Sequence, residues 1–115
     1  MTPQDRLRNE VLISGLYDLV PLAQIESVIT RDSLAGTTVA QQELALSVIR
    51  SLVGDGLMQF EGWDELSLDE QMARLHELFI THYEDPGIWA FAVWLNLTEN
   101  GKRIATELER NLPSN

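Results

Sequence analysis

Five stretches of apolar residues recur at helical spacing, each with its own start and stop residues, and they commit most of the chain to helix. Thr2 precedes Pro3, whose missing N–H costs nothing in a first turn, and Leu7, Val11, Leu12, Gly15, Leu16 and Leu19 follow as one stripe. Val20-Pro21 ends it, because proline disfavours helical geometry in the residue before it. Pro21 then opens a shorter helix with Leu22, Ile25, Val28 and Ile29 facing inward, and Ser33-Leu34-Ala35-Gly36 reads as a turn. Thr37 and Thr38 are candidate caps of a third helix, Thr38 fitting a capping box with Gln41. Its stripe is Ala45, Val48, Ile49, Leu52 and Val53, and Gly54-Asp55-Gly56 closes it. Ser67-Leu68-Asp69-Glu70 is a second capping box; it opens a helix through about Tyr83 with Leu68, Met72, Leu75, Phe79 and Tyr83 on one face. Thr98 caps a last helix carrying Ile104, Ala105, Leu108 and Leu112.

Two segments break the helical period. Leu57 to Glu61 reads as a short strand ending near Gly62-Trp63. After the turn signal Asp85-Pro86-Gly87, Ile88 to Leu97 reads as the best strand in the chain. Trp89, Phe91, Val93, Leu95 and Leu97 alternate onto one face, with Ala90, Ala92, Trp94 and Asn96 on the other. The expected fold class is therefore mainly α with a small antiparallel β element, α+β, in one domain spanning residues 1–115. With 115 residues, 44% of them hydrophobic and 23% charged, the chain has material for one core. Having no cysteine, it has no disulfide framework, thiolate metal site or thiol nucleophile. No apolar run approaches the roughly 20 residues that span a bilayer, and the first residues lack the layout of a secretory signal. A cytoplasmic protein without a membrane partner is the expectation.

Charge is unevenly placed. The formal net charge is -10, from 18 acids against 8 lysines and arginines. Residues 61–87 hold Glu61, Asp64, Glu65, Asp69, Glu70, Glu77, Glu84 and Asp85 against Arg74 alone, whereas residues 88–115 balance. A polyanion is repelled by such a segment and a basic partner is attracted.

The element order is helix, minor strand near Leu19–Leu22, helix, helix, strand, inserted helix, strand, helix. Val48-Ile49-Arg50-Ser51-Leu52-Val53-Gly54-Asp55-Gly56-Leu57 reads as a helix running into a first wing strand, and Leu95-Asn96-Leu97-Thr98-Glu99-Asn100-Gly101-Lys102-Arg103 as the end of a second. Together these resemble the winged helix-turn-helix domains of MarR-like and PadR-like regulators, with a helical insertion at about residues 63–87 in the wing. The resemblance implies a winged-helix-like fold, DNA contact through the third helix near Gln41, Gln42, Ser47, Arg50 and Ser51, and a homodimer through the terminal helices. Against DNA contact stand the single cation of that helix, Arg50, the acid Glu43 on its outward side, and an electronegative segment in place of a basic wing.

Catalytic chemistry has little footing. His76 and His82 are six residues apart, about 240° around a helix, and cannot share a metal there. No glycine-rich phosphate cradle, nucleophile elbow or dinucleotide fingerprint occurs. The expectation is a non-enzymatic protein-binding module, without cofactor or metal, whose acidic surface engages a basic protein. The contact residues expected are Trp63, Asp64, Glu65, Asp69, Glu70, Glu84, Asp85 and Trp94. An immunity protein or antitoxin covering a toxin's cationic site is one form of this reading, and a regulatory adaptor another. The second reading is a dimeric DNA-binding transcription regulator.

Overall fold

Thr2 starts the first helix as the sequence indicates. Its hydroxyl accepts from the Asp5 N–H at 3.0 Å, and the Asp5 carboxylate accepts from the Thr2 N–H at 3.5 Å. In a computed structural model that describes residues 1–112, helix α1 runs Pro3–Ser14 and buries Leu7, Val11 and Leu12. It stops well short of Val20, and Leu19 falls outside the buried stripe at 37% exposed. The reason is the sheet: Val20 and Pro21 form strand β1, opposite Leu95 and Trp94, so the backbone there must be extended. Pro21 suits this position, since an edge strand tolerates a missing donor.

Helix α2, Leu22–Arg31, buries the four residues its spacing selects, Leu22, Ile25, Val28 and Ile29. Helix α3, Thr38–Gly54, buries Ala45, Val48, Ile49 and Leu52. Its cap is Thr37, whose hydroxyl accepts from the Ala40 N–H at 3.1 Å; the box expected from Thr38 and Gln41 does not form. Strand β2, Met58–Phe60, pairs antiparallel with β3, Trp94–Leu97, and β3 also pairs antiparallel with β1, giving the order β1-β3-β2. Met58, Phe60, Leu95 and Leu97 point into the core, while Gln59 and Asn96 face outward and hydrogen-bond at 2.9 Å.

Between β2 and β3 lies the inserted segment. The Ser67–Glu70 capping box forms as expected and opens helix α4, Leu68–His76. The helix then widens into a π turn at Glu77–Thr81 instead of continuing regularly to Tyr83. Each ring of a π turn holds one residue more than in an α turn, which re-aims the side chains that follow. Phe79 thereby meets Trp89 edge-on at 5.0 Å, and Tyr83 stacks on Trp89 at 5.6 Å and 3°.

Of the long strand expected from Ile88 to Leu97, only Trp94–Leu97 forms. Pro86–Trp89 is a short helix, α5, and residues 90–92 turn before β3 begins. Two needs outweigh the alternating pattern. Trp89 packs into the Phe79–Tyr83 cluster, with its Nε1–H donating to the Tyr83 carbonyl at 3.1 Å. The carbonyls of Ala90 and Val93 accept from the Ala23 and Leu22 N–H groups, both at 3.0 Å, and so cap α2, which has no side-chain cap of its own. Phe91, expected beside Trp89, is 67% exposed.

Helix α6, Glu99–Arg110, is capped by Thr98, whose hydroxyl accepts from the Gly101 N–H at 3.0 Å and donates to the Gly56 carbonyl at 2.6 Å. One cluster of buried side chains draws on every helix and strand. The chain is thus mainly helical with a small three-stranded antiparallel sheet.

Candidate functional site

The acidic segment does not form one patch. Asp64 and Glu65 lie in the link between β2 and α4, lining a hollow with Gly62, Trp63, Leu66 and Arg74. Trp63, expected on the contact surface, is instead 8% exposed. It stacks on Phe60 at 4.8 Å, and the Arg74 guanidinium lies 4.9 Å from its ring centroid. The lone cation of the segment is therefore spent on covering an aromatic ring. Asp69 and Glu70 are exposed but engaged. Asp69 pairs with Arg50 of α3 at 3.2 Å, and Glu70 accepts from the Ser67 N–H at 3.0 Å. These hydrogen bonds to Ser67 hold the Glu70 carboxyl below its usual range.

Glu84 belongs to a second hollow, of about 490 Å³, between α2 and the far end of the insertion. Glu26, Tyr83, Pro86 and Trp89 line it as well, and Asp85 is exposed next to it in sequence. The Tyr83 hydroxyl donates to Glu26 Oε1 at 2.9 Å, whereas Glu26 Oε2 is buried with no donor among the described residues. Burial first, and the Glu26 contact next, push the Tyr83 phenol up to about 12, so it stays a neutral donor. Sequence reasoning passes over Glu26. It stands 57 residues from Tyr83 and looks like any exposed residue of an amphipathic helix; no local signal announces the contact.

Trp94 sits half-buried on the outer side of the sheet. Its Nε1–H donates to the Phe91 carbonyl at 2.7 Å, and the two rings lie 5.9 Å apart. This aromatic pair is separate from both hollows.

The residues expected to read DNA are largely in use. Ser47 accepts from the Gln4 side chain at 2.6 Å, and Ser51 accepts from the Arg8 guanidinium, which also pairs with Asp55 at 3.0 Å. With Arg50 held by Asp69, both α1 and the insertion are fastened across this side of α3. Gln41 and Gln42 are half-buried at its start. Elsewhere Arg6 pairs with Asp32, Arg31 with Glu10 and Asp32, and Lys102 with Glu99, so among the described residues five of the eight cations are ion-paired.

His82 pairs with Glu77 at 3.5 Å, and among the described residues no group of three His, Asp or Glu side chains could hold a metal. No helix of the described residues is long and apolar enough to cross a membrane. Neither a family model, nor a curated protein, nor a solved structure matches the chain.

Proposed function

We propose that this protein is a non-enzymatic protein-binding module on a winged-helix-like scaffold, and that its acidic insertion engages a basic partner protein. The observation that carries the reading is the division of charge. Five of the cations lie against the chain's own carboxylates, while Asp64, Glu65, Glu84 and Asp85 are exposed and form no ion pair among the described residues. Such a surface steers a cationic protein toward it and repels nucleic acid. An inhibitor that masks a toxin's nucleic-acid site and an adaptor in a regulatory complex both fit this chemistry. The order of three helices and a strand pair split by an insertion supports the scaffold.

The rival reading, a DNA-binding regulator, rests on Gln41 and Gln42, since glutamine reads adenine. Two measurements separate the readings. In fluorescence anisotropy with random duplex at about 50 mM salt, no binding is expected. Affinity that falls steeply with added salt would overturn the proposal. In co-purification of the tagged protein from extract of its native cells, a basic protein is expected, and it should be lost when Asp64, Glu65, Glu84 and Asp85 are changed together to lysine. Recovery unchanged by that reversal would also overturn it. Asp69 and Glu70 are left intact because they hold Arg50 and cap α4.

A further inference from the structure

The hollow between α2 and the insertion has a chemistry of its own. One wall is aromatic, Tyr83 stacked on Trp89, with Pro86 beside them. Two carboxylates, Glu26 and Glu84, line it and no lysine or arginine does. Glu26 is half satisfied: Tyr83 serves one oxygen, and the other is buried without a donor among the described residues. A buried carboxylate oxygen lacking a donor is costly and rare in folded proteins, and one explanation is a donor that arrives with a ligand. The π turn that precedes Tyr83 is a departure from regular helix often found at functional sites, and here it sets the ring against Trp89.

We propose that this hollow receives an arginine side chain of the partner protein, its guanidinium between the Glu26 and Glu84 carboxylates and against the Tyr83–Trp89 ring pair. The occupant follows from charge and shape. A guanidinium is planar, always charged and weakly hydrated; it stacks on aromatic rings and forks to carboxylates. Lysine offers a compact, strongly hydrated charge that matches the aromatic wall less well. Because Glu26 Oε2 is buried, a guanidinium reaches it only as that carboxylate reorients, whereas Glu84 is exposed. The inference rests on the reading that the acidic surface binds a basic protein, and it names the place and the side chain.

The test is an NMR titration of the isotope-labelled full chain with blocked Ala-Arg-Ala peptide, and with the same peptide carrying citrulline, which keeps the shape and lacks the charge. The arginine peptide should shift Ser27, Tyr83, Glu84 and the Trp89 indole N–H, and the citrulline peptide should not. Glu26→Gln keeps an oxygen for the Tyr83 hydroxyl and should weaken binding about ten- to hundredfold. Glu84→Gln, at an exposed position, is the variant that leaves the fold untouched and should also weaken it. Equal shifts with citrulline, or unchanged affinity in both variants, would overturn the inference. Shifts confined to Gly62–Leu66 would overturn the site and leave the protein-binding reading standing. No shift anywhere at millimolar peptide would overturn the site and count against a basic partner altogether.

Discussion

The Arg50 guanidinium lies 3.2 Å from the Asp69 carboxylate, so the one cation of α3 is held by the segment inserted between β2 and β3. The pair is exposed on both sides and worth less than about 1 kcal/mol. Asp69→Asn should therefore barely move a urea denaturation midpoint. It should also leave duplex affinity at low salt negligible, because one released arginine displaces few counterions. Strong, salt-sensitive duplex binding by this variant would show that Asp69 masks a nucleic-acid surface.

Gly101 meets the backbone of Leu57 so closely that a Cβ would stand 1.9 Å from the Leu57 carbonyl oxygen. That oxygen already accepts from the Thr98 N–H at 3.1 Å and cannot simply move away. Gly101→Ala should cost about 3 kcal/mol or more in chemical denaturation, since strand and helix must separate. Gly36→Ala is the control. Nothing lies within 4 Å of its added methyl, and the change should be neutral or slightly stabilising.

Trp89 is 4% exposed and Phe91 is 67% exposed, although an alternating strand would place them on one face. Trp89→Ala should cost about 3–5 kcal/mol, as large aromatic truncations in a core do. Phe91→Ala should fall within about 0.5 kcal/mol of the parent. Equal losses for the two would restore the continuous strand and refute the helical turn at Pro86–Trp89.

Both tyrosines should ionise late. The hydrogen bond to Glu109 raises Tyr17, which is otherwise exposed, and burial together with the Glu26 contact pushes Tyr83 from 10.0 up to about 12. In a Tyr17→Phe protein, alkaline absorbance titration should show the one remaining phenol near 12 until the chain unfolds. The folded state holds this proton more tightly than the unfolded chain. Its stabilisation is thus complete below the ordinary phenol value and drains away as pH rises from about 10 toward about 12. Tyr83→Phe should flatten that part of the stability profile.

Much of the scaffold was legible one element at a time. Thr2 with Asp5, Ser67 with Glu70, and Thr98 with Gly101 are local hydrogen bonds between residues three apart, and each marks a helix start in the chain as written. The stripe of α2 was equally plain, because periodicity reports which face is buried without saying against what. The candidate site was legible only in its charge. That Asp64 and Glu84 serve different hollows, and that Trp63 is covered by Arg74, depends on how the insertion folds back.

By itself, then, the sequence determined the helix starts, the buried faces, the mainly helical class and the concentration of acid in residues 61–87, since all of these follow from short-range spacing and composition. Only the tertiary structure decided that Ile88–Val93 turns instead of extending, because the carbonyls of Ala90 and Val93 are claimed by α2, an element some seventy residues earlier. It likewise decided that Glu26 faces Tyr83 across 57 residues. Hydrogen-bond demand and ring packing between distant segments outweighed a local alternation whose own preference is small.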